Sequence, residues 1–430
     1  MQLVAFFRNE VGMNEIKRDT YLQRLIDREQ NGLIKIITGI RRCGKSYILN
    51  NLFYKYLKEK GVKDDHIIKV ALDDDDNEYL LLRGALSNHI KNSITDNDLY
   101  YVLLDEIQLA ENFVGILNGL LKLPNVDIYV TGSNSKFLSN DIVTEFRGRG
   151  DEIRILPLSF SEFMSVYKDT IAQGWKEYYT YGGLPLILGQ KSDEAKINYL
   201  KGQLRNVYLN DVIERNHVQS IEQINTVLEI IASNVGSLTN PLKLSNTFKS
   251  VANLTISDKT VSSFLRYFED AFLINKAKRF DVKGKKYLAS PSKYYFSDLG
   301  IRNATLNFRQ QEENHIMENA IYLELLKRGF AVDVGIVETS KRNQQGKIIR
   351  NYAEVDFIAN SGNNKYYIQS AFAMHSDEKK VQERNSLLNI KDFFKKIIIV
   401  ADDIKRKRDE SGIITMSIYD FLLDEKSLDY

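Results

Sequence analysis

Lys45 and Ser46 close a glycine-spaced stretch, Gly39-Ile40-Arg41-Arg42-Cys43-Gly44-Lys45-Ser46. Its glycines let backbone N–H groups wrap around phosphate oxygens at distances a side chain would prevent. Lys45 is placed to reach the β- and γ-phosphates of a nucleotide, and the Ser46 hydroxyl to ligand Mg²⁺. With Ile40, Arg41, Arg42, Cys43 and the following Tyr47, these residues make up the expected ATP-contacting stretch. About 60 residues further on, Asp105 and Glu106 stand together. Asp105 is expected to hold the Mg²⁺ water shell, and Glu106 to polarise the water that attacks the terminal phosphate. The chemistry implied is Mg-dependent binding and hydrolysis of ATP.

These side chains work only if particular elements hold them. Residues 33–38 read as an apolar, β-branched strand, and residues 47–53 repeat with helical spacing. The glycine-spaced stretch therefore lies between a strand and a helix N-terminus, whose dipole favours a phosphate. Residues 99–104 form a continuous apolar run ending at Asp105-Glu106. A strand buried in a parallel sheet reads this way, and ligands bind at the carboxyl ends of such strands. A further strand at 126–130 runs into Thr131-Gly132-Ser133-Asn134-Ser135. There Ser133 or Asn134 is expected to contact the terminal phosphate or position the water, and Asn134 is taken as the catalytic candidate. In Phe146-Arg147-Gly148-Arg149-Gly150, Arg149 and, after it, Arg147 could neutralise charge in phosphoryl transfer, in cis or from a neighbouring subunit. The four aspartates at 73–76 follow a strand-like run and read as a solvated loop, since like charges so close repel.

Composition sets the class. A chain of 430 residues is too long for one core, so roughly two to four domains are expected. Hydrophobic content of 43% and charged content of 27% are ordinary for a soluble globular protein. The net charge of +2 balances 59 basic against 57 acidic residues, so any nucleic-acid surface must come from local clustering. The single cysteine, Cys43, excludes an internal disulfide and suits a reducing compartment. It reads as a small residue that fits the loop, with redox sensing as the alternative. The N-terminus becomes charged too soon for a secretory signal. No apolar run reaches the about 18 residues of a membrane span, so a cytoplasmic protein without a membrane partner is expected.

The ordered motifs, from Gly39–Ser46 through Leu103-Leu104-Asp105-Glu106-Ile107-Gln108, Thr131 to Ser135, Arg147-Gly148-Arg149 and Leu156-Pro157-Leu158-Ser159-Phe160-Ser161-Glu162-Phe163 to Gly182-Gly183-Leu184-Pro185, resemble a prokaryotic AAA-type ATPase family. The resemblance spans essentially the whole chain. It implies an additional-strand, catalytic-glutamate P-loop ATPase core, Mg-ATP binding, a winged-helix module in many members and a C-terminal domain of unknown function. It implies no particular physiological task.

The fold class expected is α/β: an ATPase core with a parallel sheet at 1–155, a helical lid at 156–218, a winged helix-turn-helix at 219–305 and an α+β nuclease-like domain at 306–430. Trp175, Tyr178, Tyr179 and Tyr181 could stack on bases, but their spacing reads as core. In the third part, three helical patterns precede two strand-like runs joined around Gly284. The hairpin is basic, with Lys276, Lys278, Arg279, Lys283, Lys285 and Lys286 against Asp281. Duplex DNA is its expected partner, with Lys278, Arg279, Lys283, Lys285 and Lys286 as contacts. The preceding helix is mixed in charge, which also suits a protein contact or lid.

In the last part, Glu318 on a helix, Asp356 on a strand and a following strand at 366–371 resemble a restriction-endonuclease-like fold. Cleavage chemistry of that kind needs Glu and Lys where Gln369 and Ala371 stand, so the constellation reads as broken. Three readings follow: an ATPase coupled to DNA or to remodelling of protein assemblies, a slow ATP-dependent signalling or defence switch, and, disfavoured, a metal-dependent nuclease. A homo-oligomer fits the first two.

Overall fold

The computed structural model describes residues 7–9, 12–132, 146, 148–252, 255–309, 312–342, 348–372 and 377–429. It divides into two compact units, Met1–Pro157 with Leu184–Gly189, and Leu158–Gly183 with Gln190–Tyr430.

In the first unit a short hairpin of β1 (Phe7–Asn9) and β2 (Gly12–Asn14) precedes a five-stranded parallel sheet. Its strands are β3 (Ile34–Thr38), β4 (Ile67–Ala71), β5 (Tyr100–Asp105), β6 (Val126–Thr131) and β7 (Gly150–Arg154). The order across the sheet is β4-β5-β6-β3-β7, every neighbouring pair parallel. Every residue of β3 and β5 is buried, which is why both read as uninterrupted runs. The helices Ala85–Ser93 and Phe113–Leu120 set Leu86, Ile90, Ile116 and Leu117 into the same core as Val102, Leu104 and Ile128. β6 lies between the strand that enters the glycine loop and the strand that ends in Asp105. That is the additional-strand order expected of the ATPase core. Lys35 breaks the apolar run of β3 and is fully buried, held by an ion pair with Asp127 and the carbonyl of Leu33 at 2.8 Å. The aspartates at 73–76 are exposed, as a solvated loop requires.

The second unit begins with the helices Phe160–Met164 and Ile171–Tyr181. Ser159 caps the first in a capping box with Glu162. Trp175 packs edge-on against Phe160 and beside Tyr178 and Tyr179, so the aromatic cluster is packing rather than an open stacking face. Three helices, Ile221–Ser233, Pro241–Ala252 and Asp258–Asp270, lead into an antiparallel hairpin, β8 (Ile274–Asp281) and β9 (Lys286–Phe296). The helices Leu299–Thr305 and Glu313–Lys327 follow. Then come β10 (Ala331–Arg342), β11 (Ile348–Ser361), β12 (Asn364–Ala371), β13 (Lys395–Val400), β14 (Lys407–Arg408) and β15 (Ile414–Ser417).

Two expected boundaries differ. The division at 305 runs through one eight-stranded sheet ordered β14-β15-β13-β12-β11-β10-β8-β9. β9 covers one edge of β8, and β10 pairs parallel with the other, Val334 opposite Arg279. An open edge would leave backbone donors and acceptors unpaired, so the sheet continues across the hairpin. The helical stretch expected as a lid at 156–218 falls mostly in the second unit. Leu158 N donates to Gly183 O at 2.8 Å, and Gly183 N to Asp298 Oδ2 at 2.7 Å, which ties these helices to the segment after β9. Among the described residues no helix is long and apolar enough to cross a membrane.

Candidate functional site

Gly39 follows β3 at φ 140°, and a Cβ there would stand 2.2 Å from the Ile155 carbonyl oxygen, so only glycine fits. Gly44 and Arg42 also take positive φ, 101° and 63°. The chain so bent enters a helix at Lys45–Tyr47, which continues as a π-helical stretch, Ile48–Phe53, and then Tyr54–Glu59. Cys43 is buried with its thiol 3.5 Å from the Ile155 carbonyl, a packing position with no exposed sulfur. Burial, with Glu15 nearby, pushes the Tyr47 phenol up to about 12.

Lys45 is 4% exposed. Its ammonium donates to the carbonyls of Gly39 at 3.0 Å and Ile40 at 3.2 Å, and among the described residues it makes no ion pair. At the tip of β5, Asp105 collects three side-chain donors. Ser46 Oγ lies 3.0 Å from Oδ1, Thr131 Oγ1 also donates to Oδ1, and Asn50 Nδ2 lies 3.0 Å from Oδ2. Glu106 turns out of the strand at φ 51°, a conformation a non-glycine residue holds at a cost of about 1 kcal/mol. Its N–H donates to Thr131 Oγ1 at 3.0 Å, and Gln108 donates to its Oε2. This set fits a magnesium nucleotide. The Ser46 hydroxyl and the Asp105 carboxylate are adjacent hard oxygen donors, and an ammonium without a counter-charge among the described residues stands beside a helix N-terminus.

Three contributors were not picked out in the sequence. Asn50 lies four residues after Ser46, on the same helix face, and that spacing could have flagged it. Thr131 ends β6 beside β5, which only the strand order reveals. Arg18, 2% exposed, donates to the Cys43 carbonyl at 3.1 Å and the Leu156 carbonyl at 2.7 Å, tying the glycine loop down from a distant stretch of chain.

Other expected residues lie elsewhere. The Arg149 carbonyl accepts from Ile34 N at 2.9 Å, at the start of β3, and its side chain donates to Asn118. The glycine loop leaves the other end of β3, five residues or about 16 Å away. Arg149 therefore does not serve the nucleotide of its own chain. Ser133, Asn134, Ser135 and Arg147 fall outside the described residues. On the hairpin, Lys278, Lys283, Lys285 and Lys286 are exposed, with Lys283 paired to Glu338 at 2.8 Å. Arg279 departs from this set: its side chain is partly buried where β8 meets β10, and its Nε has no hydrogen-bond partner among the described residues.

A second cluster lies in the other unit. Lys293 and Tyr295 share one face of β9, Glu354 and Asp356 one face of β11, and Glu318 projects from the helix Glu313–Lys327. Lys293 Nζ lies 2.8 Å from Glu318, 2.8 Å from Glu354 and 3.1 Å from Asp356. Burial draws the ammonium toward neutrality, but the surrounding carboxylates outweigh it and raise its pKa well above that of an ordinary lysine. Burial pushes Glu318 up to about 7, against the pull of Lys293. Gln369 Oε1 accepts from Asp356 N at 3.4 Å, and Ala371 is buried in an apolar cluster with Tyr367 and Ile398. Neither supplies a charge, as the sequence implied, but a lysine does arrive from β9.

Residues 31–164 match a family model described as an AAA domain, and residues 172–312 one described as a domain of unknown function (DUF8612). An uncharacterized protein of Haemophilus influenzae is 33% identical over 415 residues, 95% of this chain and 98% of that protein. An uncharacterized protein of Methanocaldococcus jannaschii is 32% identical over 366 residues, 81% of this chain and 76% of that protein. Among solved structures, the Aeropyrum pernix ORC1 protein in complex with DNA is 10% identical and has a TM-score of 0.31, over 70% of this chain and 95% of that one. PCH-2 of C. elegans is 15% identical with a TM-score of 0.26, over 47% of this chain and 62% of that one.

Proposed function

Because the chain belongs to the same family of AAA-domain proteins as its Haemophilus influenzae and Methanocaldococcus jannaschii relatives, we propose that it binds ATP with Mg²⁺ and hydrolyses it. The observation that carries this reading is the buried Lys45 ammonium at a helix N-terminus, whose partners among the described residues are two carbonyls. Such a group needs an anion. Lys45 and the loop N–H groups from Gly39 to Ser46 bind the phosphates. Ser46 and Asp105 hold the Mg²⁺, which supplies charge neutralisation at the phosphate oxygens when bound. Thr131 and Asn50 orient the Asp105 carboxylate through their hydrogen bonds. Glu106, fixed at the strand tip by Thr131, takes the proton of the attacking water.

The test pairs two variants. Lys45→Ala is expected to lose nucleotide binding. Glu106→Gln is expected to keep it while turnover falls about 10²–10⁴-fold. Normal hydrolysis by both, in a phosphate-release assay beside a fluorescent-nucleotide titration, refutes the reading.

The exposed Lys278, Lys283, Lys285 and Lys286 favour coupling of this ATPase to duplex DNA, through phosphate contacts from the hairpin. Salt-sensitive binding that weakens when Lys283, Lys285 and Lys286 are changed to Glu supports it, and unchanged binding sinks it. A rise in ATPase rate with duplex separates a DNA-coupled enzyme from a slow switch that retains ATP. The exposed Arg149 suits service to a neighbouring copy, which light scattering with ATP would reveal as a homo-oligomer.

A further inference from the structure

We infer that the Lys293 ammonium is the resident cation of the carboxylate cluster in the second unit, standing where a divalent ion would otherwise bind, and that the cluster takes up no divalent metal while the lysine is present. A lysine ammonium carries three donors and no acceptor. Lys293 meets three carboxyl groups, Glu318, Glu354 and Asp356, within 3.1 Å, so every proton has a carboxyl oxygen to accept it. Its side chain is 3% exposed, which leaves water little access to compete.

The carboxylates are held in turn. Tyr295 OH donates to the same Glu318 oxygen at 2.6 Å, and Ser370 N donates to Asp356 Oδ2 at 2.9 Å. The oxygens that converge on Lys293 are thus positioned by other donors, as metal ligands are by their outer partners. Carboxylate oxygens are the ligands a hard divalent cation takes, and three carboxyl groups, from a helix and one face of a strand, converge here on the ammonium, spaced more widely than a bound ion would hold them. Oxygen-to-metal distances of about 2.0–2.6 Å would place such an ion where the ammonium nitrogen now stands, and both cannot be there. The lysine also explains how a buried acidic cluster persists beside Gln369 and Ala371, which contribute no charge.

This assigns the second unit a role other than metal-dependent cleavage. The device reaches across the chain: Lys293 comes from the hairpin strand β9, the acids from the helix Glu313–Lys327 and from β11.

The test uses full-length protein carrying Asp105→Asn, so that the nucleotide site gives no metal signal. Mn²⁺ binding is followed by the loss of the free-ion EPR spectrum, with thermal melting alongside. The Asp105→Asn protein is expected to show no Mn²⁺ uptake that Asp356→Asn removes, any ion held by His66, Asp96 and Asp98 being common to every variant. Adding Lys293→Ala is expected to create uptake of about one Mn²⁺ per chain, with a rise in melting temperature, both lost on further change of Asp356→Asn. Mn²⁺ binding by the Asp105→Asn protein that disappears with Asp356→Asn overturns the inference, as does a folded Lys293→Ala variant that gains none. If Lys293→Ala is isolated unfolded, Mn²⁺ is expected to restore its near-ultraviolet circular dichroism, and failure to do so counts equally against it. The double change Lys293→Met with Glu318→Gln removes one charge of each sign and is expected to fold and to bind Mn²⁺ through Glu354 and Asp356. A folded double variant without uptake also overturns the inference.

Discussion

Each unit buries a lysine ammonium among oxygen atoms, and the two lysines differ in the charge of those oxygens. Lys45 faces two carbonyls, while Lys293 faces three carboxylates. Carbonyl dipoles hold an ammonium without neutralising it, so Lys45 keeps a charge to offer an incoming phosphate. The carboxylates around Lys293 more than neutralise it, and nothing is left for a ligand. Lys35, buried against Asp127, belongs with Lys293. Burial of a lysine is thus a weak sign of a working site, and the formal charge of its acceptors is a strong one.

The contrast can be broken by making the same change at both places. Lys293→Met strands three carboxylates and is expected to cost roughly 3–5 kcal/mol in urea unfolding. Lys45→Met leaves only two carbonyls without a donor and is expected to cost about 1–2 kcal/mol, while nucleotide affinity falls roughly 100-fold by fluorescence titration. Equal destabilisation by the two changes would erase the distinction.

A titration sharpens it. Glu318 is pushed up to about 7 in the folded protein, from 4.5 for an ordinary glutamate, by burial and by Asp356 against the opposing Lys293 and Tyr295. Between those values the folded chain keeps a proton that the unfolded chain has released. Stability from this group is therefore present below about pH 4.5 and lost as pH rises toward 7. Urea midpoints across that range should fall with pH, and less so in Glu318→Gln. The smallest effect is expected at Arg18. Arg18→Lys keeps the charge but loses the paired contacts to the Cys43 and Leu156 carbonyls, so KM for ATP should rise up to about tenfold with kcat little changed. A pure loss of folded protein with unchanged KM would show Arg18 to be only structural.

The first unit was largely legible in the sequence because its signals are local. Gly39, Gly44, Lys45 and Ser46 lie within eight residues, and β5 announces itself as an apolar run closed by Asp105-Glu106. Even the strand between them could be anticipated from the family resemblance. What escaped was whatever depends on distant chain meeting: Arg18 on the Cys43 carbonyl, Thr131 on Asp105, and Arg149 at the far end of β3. The second unit was legible in its elements but not in its assembly. Three helices and a hairpin stand where expected, yet the pairing of β8 with β10 has no local signature. The lysine missing at Ala371 was sought on the adjacent strand, whereas Lys293 arrives from more than 60 residues earlier than Asp356. Its alternation with Tyr295, and that of Glu354 with Asp356, marks buried polar faces that periodicity alone could have noted.

The parallel pairing of β8 with β10 limits where the chain can be divided. A division near residue 305 would leave β8 with a bare edge, and Lys293 would lose Glu318, Glu354 and Asp356 together. Cutting the three-helix segment and its hairpin away from the carboxylate-bearing strands would therefore expose an edge and dismantle the cluster in one step.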